Sequence, residues 1–342
     1  MDLLPSEEQL EIIGVVADVL RSRFPTSVIR DRRHDVSTID LAAWAECGQL
    51  GWFGLGLPED LGGVGYGVAE EALIFREIGR FVAPGPFLST VLGARVAAFA
   101  GLPEVAAAIV GGEAPVAIAE PRTIDAVVGE TLSGSFDLID GPGARYVVVV
   151  TPESACLIDA AEFATAQAVP CIDPAVRLSR VELVDAPVLA TVDAGTDSVY
   201  LRGCLLVAAM QTGMAEATRD MSAQYAKDRV QFGRPIGVNQ AIKHACADMA
   251  LRAEAATSQL VFAALSIDED RADRQFQVAA ARIVATNAAI ENASATVQVH
   301  GGMGYTFEHD AHLYVKRVRV LDRMMGDVRT QQAALLGMAG AQ

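Results

Sequence analysis

Two short stretches carry the residues best suited to gripping an anion. In the first, Arg229-Val-Gln-Phe-Gly-Arg-Pro-Ile-Gly-Val-Asn-Gln240, an arginine ends one long helical pattern, Phe-Gly stops it, and a glutamine opens the next. A guanidinium is a planar, permanently charged fork that matches phosphate oxygens, and the Gly-Arg-Pro turn fixes the chain beside it. In the second, Gln298-Val-His-Gly-Gly-Met-Gly-Tyr305, another helical pattern ends in three glycines among four residues, where bare backbone N–H groups can approach an anion. Either stretch alone also fits a solvated loop arginine or a plain helix stop. The pair is far more specific than its halves.

Helices must position both. From about Asp197 onward, apolar and small residues recur at three and four (Ile242, Cys246, Met249, Ala253, Ala256, Leu260). The pattern predicts helices at roughly 197–227, 238–267, 272–299, 309–322 and from 327, as in a four-helix bundle. Upstream, residues 3–24, 39–57, 68–82 and 86–112 read as helices, with Glu70, Glu71, Glu77 and Arg80 expected on a solvated face. A Pro-Glu-x-x-Gly-Gly loop at 58–63 fits a tight turn and a ligand contact equally well. From Val116 to near Leu189 the runs are short, β-branched and separated by Gly, Pro and Asp, as in a compact antiparallel barrel. The expected class is mostly α with a small central β domain. It comprises an N-terminal helical domain (1–115), a β-barrel-like middle domain (116–196) and a C-terminal four-helix bundle (197–342).

Composition narrows the functions. The 342 residues are 51% hydrophobic, enough for a large core, and 27 basic against 43 acidic side chains leave a net charge of −16 with no basic block. That balance argues against a nucleic-acid or anionic-membrane partner, so any affinity for a polyanion must be local. Cys47, Cys156, Cys171, Cys204 and Cys246 are scattered without metal-ligand spacing, which fits reduced thiols and a cytoplasmic protein. Neither a signal pattern nor a spanning apolar run is expected. His244 reads as a packed or capping residue, and His300, His309 and His312 flank the Gly-rich loop without the spacing of a metal site.

With both stretches in view, the chain resembles the acyl-CoA dehydrogenase superfamily of flavoproteins over nearly its whole length. That family carries an R-x-x-F-G corner and a Q-x-x-G-G-x-G-[YF] loop at this mutual distance. The resemblance implies an FAD cofactor and a reaction in which a base takes the proton alpha to a thioester carbonyl while hydride leaves the beta carbon for the flavin. It implies that Arg229, Gln231, Phe232 and Gln240, with Gln298, Gly301 and Gly302, hold the adenosine diphosphate half of a flavin whose ring sits in a neighbouring subunit. Gln231 matches by position only.

Other motifs of the family are degraded. Ala119-Glu-Pro121 keeps the Glu-Pro of a flavin-ring segment but has Ala for its hydroxyl residue, and the Gly-Ser-Asp does not follow. In a second ring segment Leu138 stands for a tryptophan and Asp140 for a hydroxyl donor. The base region is Arg319-Val-Leu-Asp-Arg-Met-Met-Gly-Asp-Val-Arg329, whose alignment puts Met325 at the base glutamate and Asp327 at a flavin-contacting threonine. The alternative base station falls on Gly203. A thioether cannot take a proton.

The resemblance therefore points to the degenerate partner subunits of heteromeric acyl-CoA dehydrogenases, a form found among actinobacterial enzymes that shorten steroid side chains. A homologous catalytic subunit, or a second copy of this chain, is the implied partner; an acyl-CoA is the implied substrate and an electron-transfer flavoprotein the implied acceptor. Three alternatives stay open at this point: a self-sufficient dehydrogenase using Asp327 or Asp322, a flavin oxidase or monooxygenase on the same scaffold, and a structural subunit without flavin.

Overall fold

The structure, a computed structural model, describes residues 4–122, 127–195 and 198–338. The helices of the first third are α1 (Glu7–Arg23), α2 (Thr26–Asp31), α3 (Leu41–Gln49), α4 (Val68–Arg80), α5 (Phe87–Phe99) and α6 (Pro103–Val110). Strands follow: β1 (Val116–Pro121), β2 (Val127–Val128), β3 (Thr131–Ile139), β4 (Tyr146–Val150), β5 (Ser154–Asp159), β6 (Gln167–Val169), β7 (Leu178–Pro187) and β8 (Ala190–Asp193). The long helix α7 (Val199–Asp228) leads through a hairpin, β9 (Val230–Gln231) and β10 (Arg234–Pro235), into α8 (Gln240–Asp268), α9 (Arg274–His300), α10 (Ala311–Arg323) and α11 (Val328–Gly337). The fold is mostly helical, with a central sheet and a C-terminal bundle, as the pattern predicts. The expected boundary at 196–197 lies outside the described residues.

Several details differ from the sequence reading. The helix expected over 39–57 ends at Gln49, because Gly51 turns left-handed and a run of turns follows. The expected 86–112 helix is two, α5 and α6, broken where Gly101 adopts φ 75°. The face carrying Glu71 and Glu77 is buried, since guanidiniums come to meet both carboxylates. Within the sheet, β1 and β4 pair in parallel while the other pairings are antiparallel, and the β region runs on through Asp193. His244, expected to be packed or capping, is exposed and among the described residues makes no capping bond to α8.

The chain gathers into two compact units. One comprises Ser27–Glu71 and Pro84–Gly203. Its sheet runs in the order β6-β7-β3-β1-β4-β5-β8, with β2 on β3, around a core that includes Leu132, Phe136, Val147, Val149 and Ile158. Helix α5 is tied to β1 by two hydroxyls: Ser89 donates to the Val116 carbonyl (2.6 Å) and Thr90 accepts from the Val116 N–H (3.2 Å). Trp44 packs between Phe53 and Phe87, with ring centroids 4.7 and 4.6 Å away. Glu71 is buried between two guanidiniums: Arg202 pairs with it, while Arg95, held to about 9 chiefly by burial, donates to the Gly56 carbonyl.

The other unit comprises Met1–Thr26, Ala72–Ala83 and Cys204–Gln342. Helices α4 and α7 approach so closely that a Cβ on Gly79 would lie 1.9 Å from the Met210 carbonyl oxygen, and one on Gly213 1.8 Å from that of Arg76. Only glycine fits at either place. Around this crossing Arg80 pairs with Glu216 (3.1 Å) and Asp220 (3.0 Å), and Glu77 lies 3.6 Å from Arg80. Burial raises the Glu77 carboxyl against the pull of Arg80 and Arg76. Across the bundle, Ser222 of α7 donates to the Thr296 hydroxyl of α9 (3.0 Å), and Asn292 donates to the carbonyls of Ala215 and Met249.

Candidate functional site

Arg229 stands at the C-terminal end of α7, its N–H still donating to the Tyr225 carbonyl at 2.8 Å. Its side chain is exposed and, among the described residues, makes no ion pair or hydrogen bond. The hairpin beyond it pairs Gln231 with Arg234 and Val230 with Pro235, so Phe232 and Gly233 form its two-residue loop, at φ 52° and 79°. Two consecutive positive φ values are what a tight hairpin demands, and they suit Asn-Gly; a phenylalanine there is strained. Phe232 is also wholly exposed, at 102% of its reference area. Strain and exposure thus coincide on one large apolar side chain.

Gln231 is exposed and donates to the Val230 carbonyl (3.0 Å). Gln240 opens α8. Asn239 precedes it as the cap residue, yet its amide donates backward to Ile236 (3.1 Å) and accepts nothing from the first turn. The first N–H groups of a 29-residue helix are thus left without a side-chain cap, at the positive end of the helix dipole.

The Gly-rich stretch forms a 3-10 turn over Gly301–Tyr305 at the end of α9. Gly301 adopts φ 60°, ψ −140°, a conformation for glycine alone, and a Cβ built on Gly301 or Gly302 meets nothing within 4 Å. The backbone here faces open space. Gln298, one turn back, is exposed. The two stretches share one end of the bundle, because Tyr225, a turn before Arg229, stacks on His300 with centroids 4.1 Å apart, and His300 adjoins Gly301. Sequence reasoning missed Tyr225; its place four residues before Arg229, on the same helix face, was the available signal. Met303, Tyr305 and Phe307 are exposed alongside.

This geometry sits in a chain with clear relatives. "Acyl-CoA dehydrogenase, C-terminal domain" matches residues 201–335, and "Acyl-CoA dehydrogenase, N-terminal domain" matches residues 6–109. Acyl-CoA dehydrogenase IpdE2 of Mycobacterium tuberculosis is 34% identical over 320 residues, covering 92% of each chain. The chain belongs to the acyl-CoA dehydrogenase family. Among solved structures, the ChsE4-ChsE5 complex from Mycobacterium tuberculosis is similar at a TM-score of 0.86, with 25% identity and full coverage of both chains. PigA with FAD and proline shares the fold at a TM-score of 0.84, 17% identity and 98% coverage of each.

The positions that acyl-CoA dehydrogenase motifs assign to the flavin ring look different from the corner. Ala119 of β1 and Leu138 of β3 are register partners, so the sheet brings the two degraded segments together, but both side chains are buried in its apolar core. Asp140 is buried with left-handed backbone (φ 56°), and its carboxylate accepts from the Arg177 N–H (2.9 Å) and the Thr38 hydroxyl (3.5 Å). It serves the turn after β3. Ile124, Asp125 and Ala126, where the Gly-Ser-Asp would stand, lie outside the described residues.

The base positions are equally closed. Met325 is 1% exposed with φ 58°, and Gly326 follows at 79°. The Met325 carbonyl accepts from the Gln331 amide (2.9 Å) and the Cys204 thiol (3.6 Å), and Cys204 follows the buried Gly203 in α7. Arg282, fully buried, holds the same loop: it donates to the carbonyls of Leu321 (2.7 Å) and Met324 (2.9 Å), and to Gln211 and Thr286 (2.6 Å each). Asp327 caps α11, accepting from the Thr330 N–H and hydroxyl at 2.9 Å each, and the backbone bond is the first cause holding its carboxyl below the ordinary 3.8. A carboxylate stabilised in this way is a poor proton acceptor. Asp322 accepts from the Val328 N–H (3.3 Å), in the same junction. Among the described residues no helix is long and apolar enough to cross a membrane, and no cluster of side chains is suited to a metal ion.

Proposed function

We propose that this chain is the non-catalytic half of a heteromeric acyl-CoA dehydrogenase. Its corner and Gly-rich loop grip the diphosphate of an FAD whose ring lies in a homologous catalytic subunit, which contributes the carboxylate that takes the alpha proton. Bound FAD supplies the hydride acceptor for alpha,beta-dehydrogenation of an acyl-CoA thioester. Arg229 would set its fork on phosphate oxygens, Gly301 and Gly302 would present N–H groups, and the uncapped start of α8 at Gln240 would add its dipole. Phe232, Gln231 and Gln298 would line the approach. A bulky acyl-CoA and an electron-transfer flavoprotein acceptor complete the reading.

One observation carries it. The exposed, uncommitted Arg229 beside open glycine backbone fits a diphosphate, whereas the buried apolar Ala119, Leu138 and Met325 do not fit a ring or a base. The ChsE4-ChsE5 relative, named as a complex, supports the division of labour. The test is flavin content and acyl-CoA oxidation for this chain alone and co-expressed with a homologous subunit. Alone it should hold little flavin and oxidise no acyl-CoA, and Met325→Glu should restore nothing. In the complex, Arg229→Ala should cost about ten- to a hundredfold in flavin affinity, the worth of roughly 1.5–3 kcal/mol in a charge-assisted contact. Arg229→Lys should recover part of that, and Gly302→Val should match Arg229→Ala. A yellow homomer turning over saturated acyl-CoA would sink the proposal, as would full flavin in both folded variants of the complex.

A further inference from the structure

Helices α7 and α9 run in the same direction and are joined by a line of buried polar side chains. Thr286 donates to the Gln211 amide oxygen (2.7 Å), Asn292 to the Ala215 carbonyl (3.1 Å) and Ser222 to the Thr296 hydroxyl (3.0 Å), and the rings of Tyr225 and His300 stack beyond them. These hydrogen-bonded partners stand 74 to 77 residues apart in sequence, so one register holds along the line. Gln211, Ser222, Thr286, Asn292 and Thr296 are all fully buried. On α7 the line passes through Gln211, Ala215, Thr218, Ser222, Tyr225 and Arg229, in alternating steps of four and three, the spacing of a helix-packing seam.

The side chains around the seam are small: Ala281, Ala285, Ala288, Ala289 and Ala293 of α9 are buried. Alanine methyls present little relief for ridges to lock into grooves, so they fix the axial position of a helix weakly. Hydrogen bonds fix it strongly, because a donor and acceptor more than about 3.5 Å apart no longer pair, and each is then orphaned in a dry interior. Asn292 is keyed twice, since it also donates to the Met249 carbonyl of α8 (3.0 Å) and so ties three helices to one amide. Thr296 carries the seam to the site. Its hydroxyl accepts from Ser222 and donates to the Thr218 carbonyl (3.1 Å), and its own carbonyl lies 2.8 Å from Nδ1 of His300, the residue before Gly301.

We propose that Asn292 and the Ser222–Thr296 pair are positioning residues for the diphosphate grip, a role that rests on the reading of Arg229 and the Gly-rich loop as the diphosphate site. They hold α9 axially against α7. Arg229 follows the last turn of α7 and Gly301 follows α9, so a slip between the helices passes directly to the spacing of the two halves of the site. A slip of about 1 Å takes an N–H contact of about 2.9 Å out of hydrogen-bonding range. The seam therefore serves register rather than stability, the best-attested use of buried polar groups between helices.

The test compares two apolar seams with wild type: Ser222→Ala with Thr296→Val, which removes both hydroxyls together, and Asn292→Leu, which is close to asparagine in shape. In the full-length chain alone, the urea midpoint should be unchanged or higher, while the NMR contact between the Tyr225 and His300 rings weakens. In the complex with a homologous catalytic subunit, FAD affinity read from flavin retained after gel filtration should fall by about tenfold or more, as for one lost charge-assisted contact. Thr296→Ser, which keeps the hydroxyl, should keep both the ring contact and the flavin. Arg229→Ala separates the two ideas: it should lower retention and leave the ring contact in place. If Arg229→Ala retains full FAD while the apolar seams lose the ring contact, the diphosphate reading fails and the register role stands. An undiminished ring contact in both apolar seams, or full FAD in them where Arg229→Ala is depleted, would overturn the register role. So would a urea midpoint that falls in step with retention, since the seam would then serve stability alone.

Discussion

The corner at 229–240 and the loop at 321–327 are both helix junctions in one unit, and they are finished to opposite degrees. At the corner an arginine is exposed and has no side-chain partner among the described residues, a phenylalanine sits strained and bare, and a long helix begins without a side-chain cap. At the loop, Arg282 and Gln331 hold its carbonyls, Met325 is packed away, and Asp327 caps the next helix. Junctions are expected to satisfy their own backbone. One that does so with buried side chains is serving the fold, and one that leaves charge, strain and orphan N–H groups outward is waiting for something that is not this chain. Under the proposed function, that difference is the one expected between a ligand site and a junction that serves the fold alone, and motif matching, which scores only identity of residues, does not register it.

The strongest way to break the comparison is to remove the guanidinium under the finished loop. Arg282→Met keeps the length of the side chain but leaves the carbonyls of Leu321 and Met324 and the Gln211 amide oxygen short of donors in a dry interior. Each orphaned buried group costs about 1–3 kcal/mol, so the chain alone should lose about 3 kcal/mol or more in urea unfolding. Arg229→Ala, at the other junction, should change stability by no more than about 0.5 kcal/mol in the same measurement. Equal losses at the two arginines would erase the distinction.

A smaller effect of opposite sign is expected at Phe232. Asparagine tolerates φ near 52° in a two-residue hairpin loop far better than phenylalanine does. Phe232→Asn should therefore stabilise the chain by about 1 kcal/mol, the order of strain that such a residue stores, while lowering flavin retention in the complex. Thermal unfolding and flavin content, read on the same preparation, check both halves. A variant that is destabilised, or more stable with retention intact, would show that the exposed ring serves nothing at this site.

The sequence made the corner visible and left the loop half-read, for a physical reason. Arginine, glycine and helix-period spacing are local signals, so helices α7 to α11 and the anion-suited stretches could be placed within a few residues. The fate of Asp327, Asp140 and Glu71 could not. Whether a carboxylate faces a ligand, caps a helix or meets a buried guanidinium depends on partners such as Thr330, Arg177 and Arg202, of which two lie tens of residues or more away in sequence. The same limit explains the expected solvated face of α4: Glu77 and Arg80 have the spacing of an exposed ion pair, and only the close Gly79–Gly213 crossing brings α7 over them.

The smallest expected effect decides what Asp327 is for. As a cap, its carboxylate satisfies the Thr330 N–H at the start of α11, and Asp327→Ala should cost about 1 kcal/mol at neutral pH. The ion pair with Arg323, at 3.1 Å, adds little because the arginine is 77% exposed. The carboxyl is held below 3.8 in the folded chain, so the unfolded chain binds its proton more readily and the cap's contribution is present above that value. It is lost as the pH falls through the lowered folded value. The gap between wild type and Asp327→Ala should therefore be constant from about pH 7 to 5 and close below about pH 4. If Asp327 were instead a displaced base, the same variant would abolish acyl-CoA oxidation by the complex while scarcely moving stability, with a rate that rises as the group ionises. A variant of about 1 kcal/mol lower stability and undiminished turnover would place Asp327 among the residues that hold the fold.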